Sequence, residues 1–142
     1  MKGNLRILIL ALLFGLLTNQ PSRAQDAGPP KNPFTGSWSG SYSLPDLGGG
    51  GTVEFTISKT GVLNGMSVNF DGTAHTLIGH IESNGSAVGV AIFQDSGHAT
   101  EFWSGACWIA ADGQMLGDLT GCIQNNCFTL LIAVVQKWGL PA

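Results

Sequence analysis

The chain has 142 residues, of which 44% are hydrophobic and 11% charged, and a formal net charge of −3 at pH 7. Three lysines and no arginine follow Ala24, whereas all nine acidic residues do. Because nucleic-acid binding draws most of its affinity from cationic side chains that meet phosphates, this composition argues against a nucleic-acid partner.

The N-terminal segment predicts export. Two basic residues precede an apolar run over 7–17, and the small residues Ser22 and Ala24 stand where a signal peptidase site has them. A membrane-spanning helix needs roughly 20 apolar residues, which this run does not reach. We therefore expect residues 1–24 to be a signal peptide, no membrane anchor after cleavage, and a secreted or periplasmic protein.

A proline-rich segment, "QDAGPPKNP", follows over 25–33. It shows no hydrophobic periodicity, and such composition is typical of extended or flexible chain. We predict a flexible tail over 25–33 and one folded domain over 34–142.

The domain is predicted to be all-β, since turn sequences recur about every ten residues between runs rich in Val, Ile, Thr, Phe and Trp. Short connections favour antiparallel neighbours. Eight strands can close on themselves with room for side chains or one small ligand. We predict an eight-stranded antiparallel up-and-down β-barrel, with a two-sheet sandwich as the alternative. The eight runs cover about 35–44, 52–59, 62–70, 75–82, 87–94, 99–111, 114–123 and 127–138.

The first run, "TGSWSGSYSL", alternates strictly, which places Trp38 and Tyr42 inside the barrel and the serines outside. The four glycines that follow, 48–51, lack the Lys-Ser/Thr pair and the helix of a phosphate-binding loop. They predict a flexible loop between the first two strands, which could cover the mouth of the barrel.

The last run is apolar on both faces between 130 and 135. An antiparallel strand with one wet face should alternate, so we expect its outer face to be covered by another subunit in a homo-oligomer.

The three cysteines are given different roles. Cys122 and Cys127 flank a polar turn, and in an exported protein we expect them to form a disulfide if their Cα atoms lie about 4.4 to 6.8 Å apart. Cys107 has apolar neighbours and is predicted to be a small buried hydrophobic residue.

Catalytic and metal-binding patterns are not found in the sequence. His75 and His80 are five residues apart, which places them on opposite faces of a strand, and no spacing is typical of a zinc site. The serines lack a nucleophile elbow. We therefore expect neither an enzyme nor a bound metal or cofactor.

Three stretches resemble a known family. "FTGSWSGSY" resembles the Gly-x-Trp first strand of the lipocalin and avidin barrels, and residues 88–114, "VGVAIFQDSGHATEFWSGACWIAADGQ", resemble the fifth and sixth strands of avidin and streptavidin. "GVLNGMS" over 61–67 is similar to the third strand. The resemblance implies an eight-stranded barrel, often oligomeric, with a biotin pocket at its open end.

Most of the biotin contacts that the resemblance implies are replaced. The family's ureido-binding Asn and Ser fall on Gly40 and Leu44, and the tryptophan of its seventh strand falls nearest to Gly121. Losing several hydrogen bonds of about 0.5 to 1.5 kcal/mol each should greatly weaken biotin binding. The other pocket positions of the family fall on Ser67, Asn69, Gln94, Ala99, Glu101 and Trp103.

The sequence thus favours a secreted, non-enzymatic barrel that binds a small molecule, biotin or a relative of it, at its open end. The rival hypotheses are a protein-interaction barrel such as a periplasmic protease inhibitor, acting through the tail or the glycine loop, and a purely structural domain. For Glu101, both an inward and a solvated outward orientation stay open. The predicted ligand-binding residues are Trp38, Tyr42, Ser67, Asn69, Gln94, Glu101 and Trp103.

Overall fold

The computed structural model describes residue 28 and residues 31–94 and 100–137. The predicted signal peptide and the tail residues 25–27 and 29–30 lie outside these residues. Within them, no helix is long and apolar enough to cross a membrane.

Eight antiparallel strands form a closed barrel in which each strand pairs with its neighbours in the chain. The first and last strands pair from Trp38↔Gln136 to Ser43↔Leu131, which closes the sheet. The predicted up-and-down barrel is thereby confirmed, and the sandwich is excluded. The strands are β1 Gly36–Leu44, β2 Gly49–Ile57, β3 Val62–Asn69, β4 Ala74–Ile81, β5 Ser86–Phe93, β6 Thr100–Ile109, β7 Met115–Ile123 and β8 Asn126–Gln136.

Strict alternation in the sequence sets which side chains fill the barrel. In β1, Trp38 and Tyr42 are buried, whereas Ser41 and Ser43 on the opposite face are exposed. β2 repeats the pattern, because its odd positions 53–57 are buried and its even positions are exposed. The inward side chains of the eight strands form one hydrophobic core.

One end of the barrel, here called the closed end, is filled by Phe34 and Trp38, which are 3% and 2% exposed. The Trp38 indole Nε1 donates a hydrogen bond of 2.8 Å to the Phe34 carbonyl. Buried Asn32 donates from Nδ2 to the Ile81 carbonyl at 2.8 Å and accepts from the Phe34 N–H at 2.9 Å. The compact unit begins at Lys31, so the last residues of the predicted tail belong with the barrel.

The glycine run differs from the predicted flexible loop. The connection between β1 and β2 is one turn of 3-10 helix, Pro45–Leu47, followed by Gly48, while Gly49 to Gly51 are already paired in β2. A Cβ on Gly51 would lie 2.0 Å from the Val68 carbonyl oxygen, so the glycine permits a close approach of β2 and β3. Three of the four glycines are therefore sheet residues.

The predicted disulfide is confirmed. Cys122 and Cys127 are bonded, and they join directly opposite positions of the β7–β8 hairpin on the outside of the barrel. Their Cα atoms are 4.1 Å apart, slightly closer than the expected range. The bond is consistent with an extracellular or periplasmic protein. Cys107 is a free, buried cysteine, as expected, and burial raises the pKa of its thiol to about 11.

Candidate functional site

The barrel encloses a cavity of about 220 Å³. Most of its wall is apolar, and its length runs from Ile81 and Met115, next to the closed end, to Leu44 and Leu47 at the opposite end. We call that opposite end the mouth. Its described connections are residues 45–48, 70–73 and 124–125.

Five polar side chains line the cavity, and all of them come from strand segments near the mouth: Tyr42 from β1, Ser67 and Asn69 from β3, His75 from β4 and Glu101 from β6. Two hydrogen bonds link four of these residues into pairs. The Tyr42 hydroxyl donates to Asn69 Oδ1, and Ser67 Oγ lies 3.4 Å from His75 Nδ1. The cavity is therefore apolar inside and polar towards its opening.

His75 is held as a neutral ring. Its side chain is buried, and its ring packs edge-on against Phe93 with centroids 4.2 Å apart. Burial lowers the pKa of His75, and the nearby Asp71 only partly opposes that effect. The imidazole therefore adds a hydrogen-bonding group, but no positive charge, to the cavity at neutral pH.

Glu101 points into the barrel, which decides between the two orientations that the sequence left open. It is half-buried, and burial raises the pKa of its carboxyl to about 6. Burial, together with the nearby charges of Glu101 and Asp71, raises the pKa of the Tyr42 hydroxyl to about 12. Within residues 31–94 and 100–137, no hydrogen bond or salt bridge involves the Glu101 carboxylate.

Trp103 lies across the wall of the cavity on a floor of glycines. A Cβ at Gly89 would be 2.1 Å from Trp103 Cζ2, and one at Gly79 would be 2.5 Å from Cη2. The indole therefore rests on the bare backbone of β4 and β5. These two glycines create the space for a large aromatic ring while the cavity beside it stays open.

The structure brings together five of the seven predicted ligand-binding residues as cavity lining: Tyr42, Ser67, Asn69, Glu101 and Trp103. Trp38 is not in the lining, because it packs at the closed end against Phe34. Gln94 follows the outward, even-numbered face of β5 and is exposed, with Nε2 donating to Thr76 Oγ1 at 3.4 Å. Gln94 therefore does not contribute to the cavity.

Among the lining residues that were not predicted as site residues are His75, Phe93 and Phe128. His75 and Phe93 could have been predicted to point inward, because they are two residues from the apolar Leu77 and Ala91, and residues two apart share a face of a strand. Phe128 had a weaker signal, since β8 is apolar on both faces.

No group of three His, Cys, Asp or Glu side chains that could hold a metal ion exists among the described residues. Comparison of the chain with protein-family models, characterised proteins and solved structures finds no match. The resemblance to avidin thus stays a prediction of the sequence.

Proposed function

We propose that this protein binds a small molecule, with an apolar body and one polar group, inside the barrel. The observation that carries the proposal is the cavity itself, about 220 Å³ of space with apolar walls and five polar side chains near the mouth. Ligand pockets in proteins typically combine apolar walls with a few placed polar groups.

The arrangement of these groups supports one orientation of the ligand. The apolar body would lie deep, against Leu77, Ala91 and Trp103, and the polar group would lie near Tyr42 and Glu101. Burying the body gains roughly 25 cal/mol per Å² of apolar surface, and a polar group placed at the mouth keeps access to hydrogen bonds.

Biotin, implied by the resemblance, is one candidate, but the cavity is a poor match for it. Gly40 has no side chain, and its Cβ position is blocked, because it would lie 2.3 Å from the Ala133 carbonyl oxygen. Leu44, the other ureido position, is apolar and packs against the core. We therefore expect weak biotin binding at most.

Binding is tested by the quenching or shift of tryptophan fluorescence and by thermal melting with biotin and a panel of small amphipathic molecules. A ligand at a hundred times its Kd should stabilise the barrel by about 2.7 kcal/mol. Failure of every compound at millimolar concentration to change either signal would contradict the proposal.

A matched pair of variants localises the ligand. Ala91 is buried and lines the cavity, whereas Ala106 is exposed on the outer face of β6. Ala91→Phe should fill the cavity and abolish binding, and Ala106→Phe should leave it intact. Equal binding by both variants would place the ligand outside the barrel.

We also propose that the barrel is exported and assembles with a second copy through β8. Support comes from the outer face of β8 and its neighbours, where Leu131, Val135 and Trp108 are 39%, 54% and 46% exposed. Leu131→Lys should convert a dimer into a monomer in sedimentation experiments, and Val88→Lys on the outer face of β5, where Val88 is 53% exposed, is the control. A wild-type monomer at high concentration would refute the assembly.

A further inference from the structure

The proposed ligand carries one polar group, and the mouth of the barrel indicates its chemistry. Resting on the proposed function, we infer that the ligand is a small organic cation, an amine or ammonium with an apolar body, held by the Glu101 carboxylate among aromatic rings. The inference depends on how charge is distributed along the barrel and on what surrounds Glu101.

After residue 24, positive charge is confined to the closed end. Lys31 precedes β1, Lys59 lies in the β2–β3 turn, and Lys137 follows β8, where it pairs with Glu54 on the outer face of β2. No other lysine or arginine follows residue 24. An anionic ligand at the mouth would therefore have no lysine or arginine to bind.

Negative charge occurs at both ends, since Glu82 and Asp112 lie in closed-end turns, but at the mouth it has no lysine or arginine beside it among the described residues. Asp46 lies in the 3-10 turn after β1, Asp71 lies in the β3–β4 turn, and Glu101 lines the cavity just inside. Asp46 accepts a hydrogen bond from the Thr129 N–H at 2.7 Å, and Asp71 accepts one from the Thr73 N–H at 2.8 Å. Both bonds lower the pKa of these carboxyls, so both stay ionised. Such a field attracts cations and repels anions.

Aromatic rings lie beside the Glu101 carboxylate. A Cβ added to Gly121 would lie 2.6 Å from Glu101 Oε1 and 2.6 Å from Phe128 Cε2, so both groups rest on the same bare stretch of β7. Tyr42, Phe93 and Trp103 line the same cavity. Aromatic faces attract an ammonium group, and a half-buried carboxylate binds one more strongly than a fully hydrated carboxylate does.

The other titratable groups in the wall, which are His75, Tyr42 and Cys107, do not oppose a cation. His75 is neutral at pH 7, because burial lowers its pKa. Tyr42 is also neutral, and its hydroxyl oxygen can accept a hydrogen bond from an ammonium. Glu101 is therefore the one ionised group among the described lining residues at neutral pH.

Three probes of equal length test the inference: n-hexylamine, 1-hexanol and hexanoate, each titrated calorimetrically into the full-length protein at pH 7.5. We expect the amine to bind roughly tenfold more tightly than the alcohol, which is the gain of a charge-assisted contact, and hexanoate to bind most weakly. Alcohol or hexanoate binding as tightly as the amine would overturn the inference and leave the proposed function standing. Binding by none of the three would overturn the inference, and both proposals would fail if biotin and the wider panel were silent too.

Glu101→Gln provides the sharper test, because it keeps the shape of the side chain and removes the charge. The amine should fall to the affinity of the alcohol, whereas the affinity of the alcohol should stay unchanged. Asp118→Asn, which removes an exposed carboxylate on the outer face of β7, is the charge-matched control. Retention of the amine preference in Glu101→Gln would contradict the assignment, provided that circular dichroism shows an intact fold.

The pH profile separates Glu101 from its neighbours. Amine affinity should decline as the pH falls through about 6, where the Glu101 carboxyl takes up a proton. The groups that face it are Tyr42 from β1 and His75 from β4, with Asp71 near the mouth. His98 lies in the segment 95–99, outside the described residues, so the profile is repeated in His98→Gln. A decline that persists in Glu101→Gln but disappears in His98→Gln would overturn the assignment.

Discussion

The two ends of the barrel are built on the same sheet, but they differ in chemistry. At the closed end, Phe34 and Trp38 fill the interior. Buried Asn32 forms hydrogen bonds with the Ile81 carbonyl and the Phe34 N–H. At the mouth, the interior is left open and its polar groups face a cavity. The difference indicates that one end contributes stability and the other contributes a site, so substitutions at the two ends should have different consequences.

The largest effect is expected at the closed end. Trp38→Ala removes a ring that is 2% exposed and should lower the free energy of unfolding by about 4 kcal/mol, as cavity-forming aromatic truncations do. Phe93→Ala, at the half-buried mouth position, should cost less than half as much. Chemical denaturation of both variants measures the difference, and equal losses would erase the distinction between the ends.

Asn32→Ala tests whether the residues just before β1 are part of the barrel. The substitution leaves the buried Ile81 carbonyl and Phe34 N–H without their partner and should cost about 3 kcal/mol. Asn84→Ala, in the exposed β4–β5 turn, removes one solvated contact to the Ser86 N–H and serves as the control. A loss no greater than that of Asn84→Ala would show that residue 32 behaves as tail.

The disulfide stabilises the mouth end through the β7–β8 hairpin. Because it closes a loop with a sequence separation of only 5, replacing Cys122 and Cys127 by serine should cost about 2 kcal/mol. Urea unfolding of the double variant with and without reductant checks this value. The variant should be insensitive to reductant, and an equal response in both proteins would implicate a different thiol.

The smallest expected effect is a gain in stability instead of a loss. Burial makes the ionised Glu101 carboxylate less favourable in the empty barrel than in the unfolded chain. Its folded pKa of about 6 lies above the ordinary value of 4.5, so its contribution to stability is greatest below pH 4.5 and is lost as the pH rises through 6. Glu101→Gln should therefore raise the free energy of unfolding at pH 7.5 by about 1 kcal/mol, after allowance for partial exposure.

The control for that prediction is the same measurement at pH 4.5, where the gain should shrink towards zero. Asp118→Asn should show no comparable gain at either pH. A destabilised Glu101→Gln at pH 7.5 would mean that the carboxylate has a stabilising partner in the folded protein, which would weaken the case for a cationic ligand.

Much of the fold could be predicted because period-two alternation is a local property. Alternation places the serines of β1 on the outer side of the sheet, and it places Val53, Phe55 and Ile57 of β2 on the inner side. The short turns then dictate antiparallel neighbours. The glycine run could not be placed in the same way. Gly51 is needed because the Val68 carbonyl of another strand leaves no space for a side chain there.

The site was predictable in part for the same reason. Tyr42 follows from the alternation of β1 and Trp103 from the resemblance, whereas the resemblance placed Gln94 inside even though its own strand places it outside. His75 and Phe128 were missed because an apolar or aromatic inward residue looks the same in a packed core as in a cavity wall.

By itself, the sequence determined the class of the protein: an all-β domain of eight short strands with a hairpin disulfide and few positive charges. It could do so because composition, alternation and turn chemistry depend on neighbours in the chain. Only the tertiary structure decided that the barrel closes, that one end is packed and the other hollow, and that Glu101 faces the cavity while the lysines stay at the far end. Those features arise from strand register and side-chain volume summed around the whole sheet, which places side chains from distant parts of the chain around one space.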